Sequence, residues 1–152
     1  MSNKPTLFVD TYTALLSSSG SVTSVIYWNL EQEAFPENAW NDFPVIILQW
    51  WLTALDRLHS VATSVEKLQF MDGPFSLEVS ITEHGTVRLA SIHSKLGSKS
   101  RIDRGCCGLA DMMETVQAAS RAILAWASNA GIHTQELKLL AETLYQCGHY
   151  KA

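Results

Sequence analysis

The sequence predicts an α+β protein, an antiparallel β-sheet packed by about three helices in a single domain over residues 1–152. Three observations predict it. Residues 75–82 and 86–92 alternate apolar and polar side chains with period two, as half-buried strands do. From Asn41 the period changes to three and four, as on a helix. No internal repeat, low-complexity tract or linker interrupts the chain, so the elements share one core.

Taken in order, residues 6–13 and 22–30 are rich in β-branched and aromatic types. Ser17-Ser18-Ser19-Gly20 between them supplies a turn, which predicts two strands paired as a hairpin. Next, Gln49, Thr53, Asp56, Ser60, Thr63 and Lys67 trace one narrow polar stripe on a helix. Phe43, Ile47, Trp50, Ala54, Leu58, Val61 and Val65 form an apolar row beside it, and Val45, Leu48, Leu52 and Leu55 a second. A helix that apolar must be surrounded on most sides. Asn41 or Asp42 is placed to cap its free amides, and Pro44 sits where a missing N–H is harmless.

Asp72-Gly73-Pro74 then breaks the chain. Phe75, Leu77, Val79 and Ile81 alternate with polar residues, Glu83-His84-Gly85 turns, and Val87 and Leu89 repeat the alternation, giving the clearest hairpin in the chain. Residues 94–108 are polar, Gly-punctuated and basic through Lys95, Lys99, Arg101 and Arg104, which reads as a mobile loop. A helix follows over 111–130, with Met112, Val116, Ala119, Ile123 and Ala127 inward and Gly131 as its C-terminal stop. Thr134 caps a third helix, on which Leu137, Leu140 and Leu144 share a face.

A chain of 152 residues with 47% hydrophobic and 17% charged residues has globular composition, which excludes disorder and coiled coil. Its formal net charge of −4 is the wrong sign for a domain that wraps phosphate backbones, so nucleic acid is not an expected partner. The apolar run Leu7-Phe8-Val9 is broken at Asp10, so no export signal is expected. The longest apolar segment, 43–55, is too short to cross ~30 Å of hydrocarbon, so no membrane is expected either. Three cysteines, two of them adjacent, make no paired framework and favour a reducing interior, so the expected location is the cytoplasm.

Candidate chemistry is sparse. The five histidines are scattered and no C-x-x-C or H-E-x-x-H occurs; Cys147-Gly148-His149 is the nearest approach to a metal site, and no metal is expected. Cys106 and Cys107 precede a helix whose dipole lowers a thiol pKa, which makes a cysteine-dependent enzyme the first alternative function. Lys99, Arg101 and Arg104 among glycines make a ligand-binding regulatory module using the basic 95–104 loop the second. Glu31 and Glu33 point the same way if their strand continues, but no nucleophile or metal cluster completes a catalytic site.

The distinctive feature is charge segregation. Glu31, Glu33, Glu37 and Asp42 occur with no Lys or Arg among them and are interleaved with Phe35, Pro36 and Trp40. Carboxylates speed capture of a basic partner, and an aromatic supplies anchor area. The segment from Tyr27 through Phe35-Pro36-Glu37-Asn38-Ala39-Trp40-Asn41-Asp42-Phe43 to Trp50-Trp51 resembles small immunity proteins of bacterial polymorphic toxin systems, contact-dependent or type VI secreted, through its F-P-x-x-x-W-x-D-F lead into a W-W helix. That resemblance implies a non-enzymatic inhibitor, without cofactor, that occludes a cognate protein toxin stoichiometrically. The expected contact residues are Glu31, Glu33, Glu37, Trp40 and Asp42, and the expected toxin surface is basic.

Overall fold

A computed structural model describes residues 4–60, 65–83 and 85–148. The chain is α+β, as its patterning predicts, with the antiparallel strands divided between two sheets. In the first sheet β1 (Thr6–Leu16) pairs with β2 (Val22–Leu30), and β2 also pairs with two short strands, β3 (Glu33–Phe35) and β4 (Asn41–Asp42). Helix α1 (Pro44–His59) follows. The second sheet runs in the order β5 (Val65–Gln69), β6 (Phe75–Glu83), β7 (Thr86–Lys95), β8 (Ser98–Gly108). Helices α2 (Leu109–Asn129) and α3 (Gln135–Gln146) complete the chain.

The apolar surplus of α1 fixes its place. Val45, Ile47, Leu48, Trp51, Leu52, Leu55 and Leu58 are buried, and the helix packs against β2, β5, α2 and α3. The Trp51 indole N–H donates to the Gln69 carbonyl at 2.8 Å, giving edge strand β5 a partner from the helix side. Helix α2 docks on β1, where the Thr115 hydroxyl accepts the Leu7 amide at 2.9 Å, and it buries Met112, Val116, Ala119, Ile123 and Ala127 as their spacing predicts. It ends in a Schellman motif. The Ile132 amide donates to Ala127 and the Gly131 amide to Ser128, with Gly131 at φ +70° where its missing Cβ matters. Thr134 caps α3 by accepting the Leu137 amide at 3.1 Å.

Four expectations give way. The first helix stops at His59, and Lys67 lies in strand β5; Val61 and Thr63 fall outside the described residues. Only Leu68 is buried in that edge strand, so it has no alternation for a period test to register. Residues expected as a mobile loop form β8, an edge strand with most side chains in solvent, whose polar composition hides its pairing with β7. Trp50, expected in the apolar row, is 42% exposed, while its neighbour Trp51 is fully buried. Asp42 does not cap α1: the N-cap residue is Phe43, with no side-chain cap.

Aromatic rings join the two sheets. Trp28 of β2 meets Trp51 of α1 at 5.8 Å, and Trp51 meets Phe70 edge-on at 5.0 Å. Phe35 of β3 contacts Phe70 and Phe75, both at 6.0 Å, and Trp40 contacts Phe75 at 5.2 Å. Such tilted and edge-on pairs contribute about 0.5–1.5 kcal/mol each beyond area burial. Gly73 is fitted under this seam at φ +89°, where an added Cβ would stand 3.1 Å from Trp40 Cη2. Gly73→Ala therefore combines a left-handed backbone with a clash and is expected to cost about 1–2 kcal/mol or more, measured as a lowered denaturant midpoint.

Candidate functional site

The acidic segment connects β2 to α1. Strand β2 ends at Leu30, which pairs with Glu33, so Glu31 and Gln32 form a two-residue hairpin turn. Both take positive φ, +50° and +67°. This is the backbone that Asn-Gly usually supplies, and an L-residue with a full side chain pays roughly 1–2 kcal/mol to adopt it. A second turn follows the cis Phe35–Pro36 peptide: the Trp40 amide donates to the Glu37 carbonyl at 3.3 Å, with Ala39 at φ +60°. Among the described residues, these three are the complete set of non-glycine positions at positive φ.

Neighbouring elements hold the strained backbone. The Trp40 carbonyl accepts the Ile26 amide at 2.8 Å. Asp42 is 1% exposed, and its carboxylate accepts three donors: the Trp40 indole N–H at 2.9 Å, the Phe43 amide at 2.7 Å and the Asp72 amide at 3.1 Å. A buried carboxylate needs such donors to offset its lost hydration. At the hairpin, Arg104 of β8 donates from Nε to the Ser91 hydroxyl at 2.9 Å and from its terminal nitrogen to Glu33 at 2.7 Å. The Arg104 side chain is 10% exposed and that of Glu33 65%.

The five expected contact residues thus separate. Glu31 and Glu37 are exposed, with no side-chain partner among the described residues. Glu33 is exposed but ion-paired. Trp40 is half-buried with its ring in the aromatic seam, and Asp42, expected at the contact surface, is instead buried: its carboxylate is removed from solvent, accepts three N–H groups and supports the segment from behind. Glu31 and Glu33 do not share a strand face, because Glu31 is in the turn. In sequence Arg104 is one cation of a basic stretch; its role as the hairpin's tether depends on a pairing 71 residues away, which local spacing cannot signal.

The alternative sites look different in three dimensions. Arg101 pairs with Glu78 and Arg104 with Glu33, so both arginines of the basic stretch are committed to ion pairs within the fold. Asp111 lies in the first turn of α2, beside N-cap Gly108, where it opposes an anion. Burial, and then Asp111 and Cys106, push the Cys107 thiol up to about 12, the reverse of an activated nucleophile. Burial and Asp56 push Cys147 to about 11. Among the described residues no group of three or more His, Cys, Asp or Glu is placed to hold a metal ion, and none of their helices is long and apolar enough to cross a membrane. No known protein family, curated protein or solved structure matches the chain.

Two measurements follow from this geometry. Gln32→Gly and Ala39→Gly remove a Cβ from a left-handed residue, so each is expected to stabilise the fold by about 0.5–1 kcal/mol in chemical denaturation, where glycine ordinarily destabilises an ordered position. The half-buried Cys107 and the buried Cys147 both have folded-state pKa values above the ordinary 9.0. Their neutral forms favour the folded state, so that contribution is complete below pH 9 and is lost as pH rises through about 11 and about 12. At pH 7.5 an alkylating reagent is expected to modify exposed Cys106 first, half-buried Cys107 more slowly and buried Cys147 only after denaturant is added, read by mass spectrometry.

Proposed function

We propose that the protein is an immunity protein that binds a cognate protein toxin with a basic surface and neutralises it by stoichiometric occlusion, performing no chemistry of its own. The observation that carries this reading is the coincidence of backbone strain with exposed, unpaired acidity. The positive-φ residues Glu31, Gln32 and Ala39 fall in the segment that also presents Glu31 and Glu37 to solvent. Strain held in place by surrounding structure is characteristic of preorganised contact surfaces. Arg104, Asp42 and the aromatic seam hold this one, so the toxin need not order the loop on binding.

Glu31 and Glu37 supply the steering charge. Glu33 anchors the hairpin to Arg104, and Trp40 and Asp42 fix the shape of the segment. Electrostatic steering of this kind supports association at ~10⁸ M⁻¹s⁻¹ at low salt, falling steeply as salt is added. Immunity action further requires that the toxin be made alongside its inhibitor, so the product of the adjacent gene is the partner to test.

Co-purification with that product is expected, and Glu31→Lys/Glu37→Lys is expected to keep its fold while losing about tenfold or more in on-rate at low salt. Glu33 is left intact because a lysine there would face Arg104. An unchanged on-rate in the folded double variant would reject the acidic segment as the contact surface, and turnover of a metabolite by the isolated chain would reject the inhibitor reading.

A further inference from the structure

Helix α1 is otherwise a core element, yet it exposes 42% of Trp50. That indole borders a cavity of about 250 Å³ between α1 and β5, lined also by Gln49, Thr53, Arg57, Lys67 and Gln69. The lining is polar and cationic, with no carboxylate in it, in a chain whose net charge is −4. The cavity shares no residue with the acidic segment.

Several of these groups are held in place with hydrogen-bonding capacity to spare. Arg57 is fixed by a two-point bond to Glu66, Nε to one oxygen at 3.1 Å and a terminal nitrogen to the other at 2.6 Å, which leaves its second terminal nitrogen available. Gln49 donates from Nε2 to the hydroxyls of Thr53 at 3.2 Å and Thr143 at 3.4 Å, so its amide orientation is set and its carbonyl oxygen has no partner among the described residues. Lys67 and the Gln69 amide likewise have no side-chain partner among the described residues. A fixed guanidinium with one nitrogen to spare, an ammonium, an oriented amide and a part-exposed indole therefore border one small concavity.

We propose that this cavity is a binding site for a small ring-bearing carboxylate. Lys67 and Arg57 receive the carboxylate, Trp50 stacks on the flat or C–H-rich face of the ring, and Gln49, Thr53 and Gln69 hydrogen-bond its substituents. A fully apolar ligand leaves the Lys67 ammonium and the spare Arg57 nitrogen unanswered, and a bare inorganic anion leaves the indole unused; a ring with one carboxylate answers both, and the volume holds a single ring. Two sources share this chemistry, a uronic-acid sugar and an aromatic acid.

The test is a titration of the full chain by two-dimensional NMR, following the Trp50 indole and the Gln49 and Gln69 side-chain amides. The probes are glucuronate and 4-hydroxybenzoate, with acetate and methyl glucoside as single-feature controls. Saturable shifts at these three side chains with glucuronate alone identify a sugar acid, and with 4-hydroxybenzoate alone an aromatic acid; saturation by both supports the shared chemistry. In each case the controls are expected to bind about tenfold more weakly or worse, and Lys67→Gln and Trp50→Phe to weaken binding about tenfold and about threefold. Both substitutions are at exposed positions, and thermal denaturation checks that the variants are folded. Absence of saturable shifts with both ring acids to about 10 mM overturns the proposal. So does binding that is indifferent to Lys67→Gln in the folded variant.

Discussion

The buried carboxylate of Asp42 is the constraint on which the arrangement around the acidic segment depends. It gathers one side chain and two backbone donors, and these come from both sides of the molecule: Trp40 and Phe43 flank it in the lead into α1, while Asp72 belongs to the turn between β5 and β6. One charge taken out of water would cost several kcal/mol if left alone. Three N–H groups aimed at it reverse that balance and oblige the two loops to keep their positions. The aromatic seam does the same by packing, since Phe35 of β3 and Trp40 just before β4 meet Phe70 just after β5 and Phe75 of β6. Polar node and apolar seam overlap at Trp40, whose ring packs while its N–H donates.

A rigid frame of this kind lets the exposed turns hold unfavourable backbone. Glu31, Gln32 and Ala39 occupy a conformation that a free peptide would leave, and each is one or two steps from an anchored residue: Glu33 tied to Arg104, Trp40 tied to Asp42. Strain at the tip and restraint at its base belong to one design. The charge pattern follows the same division, with the outer carboxylates unpaired and the inner ones bound. A partner that reads the outer pair meets a surface whose ordering entropy has already been lost on folding.

Much of the fold was legible because its signals are local. The α2 and α3 helices announce themselves through three- and four-residue apolar spacing, a left-handed glycine at 131 and a threonine cap at 134, and each of these is set by residues within one turn. The β6–β7 hairpin is equally plain, since one face of each strand is buried. Strands β5 and β8 were not legible because they lie at sheet edges, where solvent on most sides removes the apolar alternation that marks a strand. Helix periodicity placed Trp50 in the core row, but the surroundings of α1 leave a gap there, and only tertiary contacts decide which flank of an almost wholly apolar helix stays uncovered. The acidic segment was visible as composition. Its internal division was not, because the partners of Asp42 and Glu33 lie 30 and 71 residues away.

The most direct test of this account is amide hydrogen exchange of the folded chain and of Asp42→Asn, which keeps the size of the side chain while replacing one acceptor oxygen with a donor. The account predicts that in the parent protein the Phe43 and Asp72 amides exchange as slowly as the centres of β2 and β6, and that the substitution speeds exchange at both, and at residues 39–43, by about thirtyfold or more, the equivalent of about 2 kcal/mol, while α2 and α3 keep their protection. Equal protection in the two proteins at Phe43 and Asp72 would contradict it, because the two loops would then be held together without the carboxylate.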